Sequence, residues 1–114
     1  MCTQNQLNKI LGEVSKQTQQ LLGERLQKII LYGSYARGDF DEHSDIDIMV
    51  LADVNDEELH GFGHELCRIS GKLSLDNDVM ICIYLNDRAL FEQRLPILPF
   101  YRNVISDGVN VYVQ

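Results

Sequence analysis

Apolar positions recur along this chain at two periods. Between Thr3 and Gly23, residues Leu7, Ile10, Leu11, Val14, Leu21 and Leu22 fall at helical spacing, with an outer face rich in Gln and Lys. Thr3 or Asn5 is a candidate cap, and Gly23 ends the helix. Arg25–Tyr32, with its apolar run from Lys28, reads as a first strand. Asp45–Leu51 alternates apolar and polar side chains and reads as a second. A helix then starts at Asn55 or Asp56 and carries a stripe at Leu59, Phe62, Leu66, Ile69 and Leu73. Gly61 and Gly63 weaken its first turns, by roughly 1 kcal/mol each relative to Ala. Leu75–Asn77 is expected to turn the chain into a third strand, Asp78–Leu85. Asn86–Arg94 reads as a short helix capped by Asn86 and broken by Pro96 and Pro99. Pro99–Ile105 continues as helix to a stop at Asp107-Gly108, and Val109–Val113 forms a last short strand. The pattern predicts an α/β (α+β) domain, a small mixed sheet with helices packed against it.

With 114 residues the chain has room for one core, and residues 1–114 are read as a single domain. No apolar run approaches the roughly 20 residues of a membrane span. The N-terminal MCTQNQLNK lacks the apolar segment of a signal peptide, so the expected location is the cytoplasm. Cys2, Cys67 and Cys82 have no framework or zinc spacing; Cys67 and Cys82 read as small core residues. Charge sharpens the picture more. The net charge is −7, and nine acids lie between Asp39 and Glu58 with no Lys or Arg among them. That surface repels free nucleic acid, so direct nucleic-acid binding is not expected and a basic protein partner fits better.

The candidate chemistry lies in Leu31–Val50. Gly33-Ser34 ends the first strand, ten residues follow, and then come Asp45 and Asp47. Period two puts the two carboxylates on one strand face, where they repel each other and where burial without a partner is costly. A hard divalent cation, Mg²⁺ or Mn²⁺, removes both problems. Gly33 permits a sharp turn, and Ser34 is expected to cap a short helix, Tyr35–Arg37, ended by Gly38. A helix start with free N–H groups suits an anion. Arg37, the one cation of the motif, either reaches a phosphate or pairs with Asp39 or Asp41. Phosphate-binding turn and metal-binding pair together suit a nucleoside triphosphate. Other motifs fail: Gly33-x4-Gly38 is followed by Asp39, where a P-loop needs Lys, and His60 and His64 lack the His-Glu-x-x-His order.

Gly33-Ser34, ten residues, then Asp45-x-Asp47 resembles the signature of the DNA polymerase beta-like nucleotidyltransferase superfamily. Tyr32–Gly38 and Ser44–Asp47 are most similar to its minimal nucleotidyltransferase (MNT) branch, several of whose bacterial members are antitoxins paired with a HEPN-domain toxin. The resemblance implies the nucleotidyltransferase fold and transfer of AMP from ATP to a hydroxyl, in the antitoxin branch a tyrosine of the toxin. It implies two Mg²⁺ ions, Mn²⁺ being the alternative, held by Asp45 and Asp47, and nucleotide contacts at Gly33, Ser34 and Arg37. A third acid is expected at Asp78, with Asp76 as the weaker candidate. The small size implies that another chain completes the site, the toxin or a second copy in a homodimer, with Leu95–Tyr101 as the candidate contact surface. Two rival readings stay open: an antitoxin acting by contact alone, and an aminoglycoside-type enzyme acting on a small molecule.

Overall fold

The structure is a computed structural model and describes residues 2–114. Helix α1 (Gln4–Leu22) is capped by Thr3, whose hydroxyl accepts the N–H of Gln6, and it buries Leu7, Ile10, Val14, Thr18 and Leu22. A single 3-10 turn, Gly23–Arg25, leads into β1 (Leu26–Tyr32). The short α2 (Ser34–Arg37) follows directly, and then β2 (Ile46–Ala52). Helix α3 (Asp56–Asn77) begins with a reciprocal capping box between Asn55 and Glu58, which satisfies two otherwise free N–H groups. Strand β3 (Ile81–Asp87), α4 (Arg88–Arg94), α5 (Pro99–Asp107) and β4 (Val109–Val113) complete the chain.

The four strands form one mixed sheet in the order β3-β2-β1-β4. β1 runs antiparallel to β2 and to β4, while β2 and β3 are parallel, as the crossover through α3 requires. This is the mixed sheet with packed helices that the periodicity predicts. Its two faces are unequal. On one, Ile29 and Leu31 of β1 and Ile46, Ile48 and Val50 of β2 meet the apolar sides of α1 and α3 in the main core. On the other, a smaller cluster gathers Ile30, Tyr32, Met49, Leu51, Phe91 and Val104 beneath α4 and α5. Among the described residues no helix is long and apolar enough to cross a membrane.

Three expectations need correction. α3 does not stop near Leu75 but runs to Asn77, and Asp78 closes it in the left-handed conformation (φ 53°, ψ 43°), its N–H donating to the Ser74 carbonyl. β3 therefore starts three residues later than expected, at Ile81. Asp87, not Asn86, caps α4, its carboxylate accepting the N–H of Leu90 at 3.4 Å. Cys67 is exposed: the seam that α3 buries is narrow, Leu66, Ser70 and Leu73, and Cys67 is turned away from it.

Candidate functional site

Asp45 and Asp47 stand where β2 begins, on the thinly covered face of the sheet. In the antiparallel pairing Asp47 lies opposite Tyr32, the last residue of β1, so the turn after Tyr32 is folded directly over the carboxylate. That turn is Gly33 (φ 77°, ψ −157°), a conformation that L side chains rarely adopt. A Cβ on Gly33 would lie 2.6 Å from Oδ2 of Asp47. The sequence thus needs glycine here twice over, for the backbone and for the space.

Gly33 itself is the N-cap of α2, and Ser34 sits in the first turn without a side-chain capping hydrogen bond; the expectation that Ser34 caps the helix is corrected. The Gly33 carbonyl accepts from the N–H groups of Ala36 and Arg37, both at 3.1 Å, and Gly38 ends the turn in the left-handed region. Tyr35 is packing: its ring is buried and stacked on Phe40, centroids 4.3 Å apart, and its hydroxyl accepts from the Cys2 N–H at 3.3 Å. Arg37 pairs with Asp39, Nε to Oδ2 3.1 Å, an exposed contact that a phosphate can displace at small cost. The connection to β2 is ordered by Asp41, whose carboxylate accepts from the His43 N–H at 2.8 Å.

Gly33, Ser34, Arg37 and Asp47 line a depression of about 350 Å³ under α5. A second, more apolar hollow of about 620 Å³ adjoins it and shares Tyr32, Asp47 and Phe100. Met49, Tyr84 and Asn86 form its floor and Leu98, Pro99 and Tyr101 its wall. The Tyr32 and Phe100 rings meet edge to face, centroids 5.8 Å apart, at the boundary between the two hollows.

Asp78 and Asp76 are not among the ligand atoms gathered with Asp45 and Asp47. Asp78 is exposed, its backbone N–H closing α3, and Asp76 pairs with Lys72 on the same helix at 3.9 Å. Ile46 donates its N–H to the Met80 carbonyl, so β3 enters the ladder only beyond Asp78. In the parallel register the residue level with Asp47 is Cys82. Ligand atoms of Asp45, Asp47 and Cys82 all lie within 4.8 Å of one another. A signal for Cys82 is present in the chain. Ile81, Ile83 and Leu85 alternate with Cys82, Tyr84 and Asn86, and only the first set packs into the main core.

The electrostatics follow from this crowding. Burial, and then the Asp45 charge, push the Asp47 carboxyl above its ordinary value, with Arg37 opposing. Burial and then the two carboxylates push the Cys82 thiol up. Tyr32 is raised mainly by burial, with Asp47 adding to it. All three shifts disfavour negative charge, and a cation among the three groups reverses that preference. Two carboxylates and a thiol within reach of one ion fit a divalent metal ion by the chemistry of the donors.

A family model described as Nucleotidyltransferase domain matches residues 7–99. A chain of Methanocaldococcus jannaschii named protein adenylyltransferase is 40% identical over 88 residues, covering 77% of this chain and 80% of that one. A second chain of that organism with the same name is 36% identical over 72 residues, 63% of this chain and 71% of the other. Among solved structures, a toxin–antitoxin with AMP-PNP superimposes with a TM-score of 0.57 at 21% identity, covering 94% of this chain and 73% of that one. Another, a tri-AMPylated Shewanella oneidensis HEPN toxin in complex with MNT antitoxin, gives a TM-score of 0.53 at 23% identity, covering 96% and 72%. At these identities the structural likeness is one of fold.

Proposed function

The chain belongs to the nucleotidyltransferase-domain family, and we propose that it transfers AMP from ATP to a hydroxyl on a partner protein, a tyrosine of a HEPN-type toxin that is silenced by the transfer. The observation that carries this reading is the packing of Gly33 over Asp47, with Asp45 beside it. It sets a phosphate-sized depression against a carboxylate pair, and the apolar hollow next to it is the right chemistry for an aromatic acceptor. The relatives named protein adenylyltransferase support protein as the acceptor class. The toxin–antitoxin complexes among the structural neighbours support the kind of partner.

In this reading Ser34 and the first N–H groups of α2 face the β and γ phosphates, and Arg37 leaves Asp39 for a phosphate oxygen. Asp45 and Asp47 are the residues that would hold Mg²⁺, or Mn²⁺ in its place. When bound, the metal neutralises phosphate charge and lowers the pKa of the acceptor hydroxyl. The acceptor oxygen bonds to the α phosphorus as the bond to pyrophosphate breaks. Tyr32, Met49 and Phe100 line the acceptor's side of the reaction with apolar surface. Ile97, Leu98 and Phe100, which are 72%, 41% and 51% exposed, form the apolar rim against which the partner docks.

The test is transfer of label from α-labelled ATP to a HEPN-type toxin, the partner class this reading names. Labelling of wild-type toxin, absent with a toxin whose acceptor tyrosine is changed to Phe and absent with Asp45→Asn plus Asp47→Asn, supports the reading. If the double variant neutralises the toxin as well as the unaltered chain does, contact alone suffices and the enzymatic reading is wrong.

A further inference from the structure

Nucleotidyl transfer through hard oxygen ligands does not need sulfur, yet β3 brings a thiol level with Asp47. Three observations converge on it. The Sγ of Cys82 lies within 4.8 Å of carboxylate oxygens from both Asp45 and Asp47, close enough for one ion to reach all three. The parallel register fixes Cys82 opposite Asp47, so the placement belongs to the sheet and not to a mobile loop. Among the described residues the group whose ligand atoms gather here is Asp45, Asp47 and Cys82, with neither Asp76 nor Asp78 in it. The side chain is also neither sealed in the core nor free in solvent, but partly buried on the open face of the sheet.

We propose that Cys82 is the third ligand of the metal site, giving it an O₂S donor set that takes borderline divalent cations of the Co²⁺ and Zn²⁺ class through a metal–sulfur bond that Mg²⁺ does not form. The inference rests on the nucleotidyltransferase reading of the same site. Mg²⁺ demands oxygen and keeps its waters, so Asp45 and Asp47 alone serve it. Borderline ions accept sulfur, and with them the Cys82 thiol gives up its proton to solvent as the bond to metal forms. Three protein ligands leave positions open for phosphate oxygens, as a catalytic site requires and a closed structural site does not. The cell's supply of these ions then sets which metal the enzyme carries, and a site that holds Zn²⁺ through sulfur releases it less readily than it releases Mg²⁺.

Titration of the folded, reduced chain with Co²⁺ tests this without any assay of activity. The expected result is a thiolate-to-cobalt charge-transfer absorption saturating at one ion per chain. It is retained in Cys67→Ser and lost in Cys82→Ser, with Co²⁺ affinity weakened by at least about tenfold, the low end of what even an outer-sphere change costs a metal site. Mg²⁺ affinity should barely move between the unaltered chain and Cys82→Ser. Absence of the band in the unaltered chain, or its survival in Cys82→Ser, overturns the assignment. A second measurement needs no variant. Co²⁺ should slow alkylation of Cys82 by iodoacetamide, read by peptide mass spectrometry, while exposed Cys67 reacts at an unchanged rate; equal protection of neither or both thiols overturns the assignment as well. The label-transfer experiment with Mg²⁺ and ATP separates the two readings. Transfer without a thiolate band removes Cys82 as a ligand and leaves the enzyme, whereas a band without transfer establishes the ligand and removes the enzyme.

Discussion

The two faces of the sheet share the same strands and have opposite characters. Toward α1 and α3, Ile29, Leu31, Ile46, Ile48 and Val50 are sealed under two long amphipathic helices. Toward α4 and α5, only Ile30, Tyr32, Met49, Leu51, Phe91 and Val104 are sealed, and the remaining positions carry Asp45, Asp47, Cys82, Tyr84 and Asn86. Because successive side chains of a strand point to opposite sides, each residue that builds the fold has a neighbour free to build the site. The closed face supplies stability that the open face spends on crowded carboxylates and uncovered apolar rims. Stability and chemistry should therefore separate by face under mutation.

The largest effect is expected on the closed face. Leu66→Ala, at a fully buried position of α3, should cost about 2–5 kcal/mol in denaturant unfolding; a loss below 1 kcal/mol would mean that α3 is not the seal it looks to be. On the open face, Asp45→Asn with Asp47→Asn should lower AMP transfer by at least about a hundredfold, the scale of losing one preorganised electrostatic contact, while the melting temperature does not fall. Gly33→Ala bridges the two. Forcing a side chain into its φ of 77° should cost about 1–3 kcal/mol, and the new Cβ should also push Asp47 aside, so Co²⁺ and ATP binding weaken beyond what the melting curve explains.

The smallest effect concerns pH. The folded-state pKa of Asp47 lies above its unfolded value, mainly through burial and then through Asp45. The folded state therefore binds the extra proton, and stability from this group rises as pH falls through the folded pKa and is complete below the unfolded one. Solvent screening of a half-exposed group keeps the gain under about 1 kcal/mol. Asp47→Asn should thus raise the melting temperature of the metal-free chain slightly at pH 7 and flatten this part of the pH dependence, and divalent cation should stabilise the unaltered chain but not the variant. A variant less stable than the unaltered chain at neutral pH would contradict the assigned strain.

What could be read from the sequence was whatever is decided locally. Thr3 and Asn55 announce their helices by capping, the stripe Leu59–Leu73 announces a buried seam, and Pro99 and Gly108 bracket α5. Gly33, Asp45 and Asp47 were legible as a set because a ten-residue connection returns β2 antiparallel beside β1. For Cys82 the alternation of β3 gives only the face, since its level against Asp47 depends on how far α3 runs before the chain crosses back to pair in parallel. Asp78 is acidic and stands just before a strand, but the left-handed turn it adopts takes it out of the ladder. Cys67 and Ser34 were misjudged for a milder version of the same reason: helix rotation and the identity of a cap are settled by one residue's step.

The turn of Asp78 has a consequence for how this domain can vary. Between it and Ile81 lie two residues, and their number decides which way up β3 enters the sheet. One residue added there would rotate Cys82 into the hydrocarbon interior and present Ile81 or Ile83 to the two aspartates. Two residues added would restore the parity and bring Met80 to the level of Asp47. Length at this hinge acts as a selector of which atom faces the aspartates, and relatives that differ by a single insertion here should differ in the ions they retain.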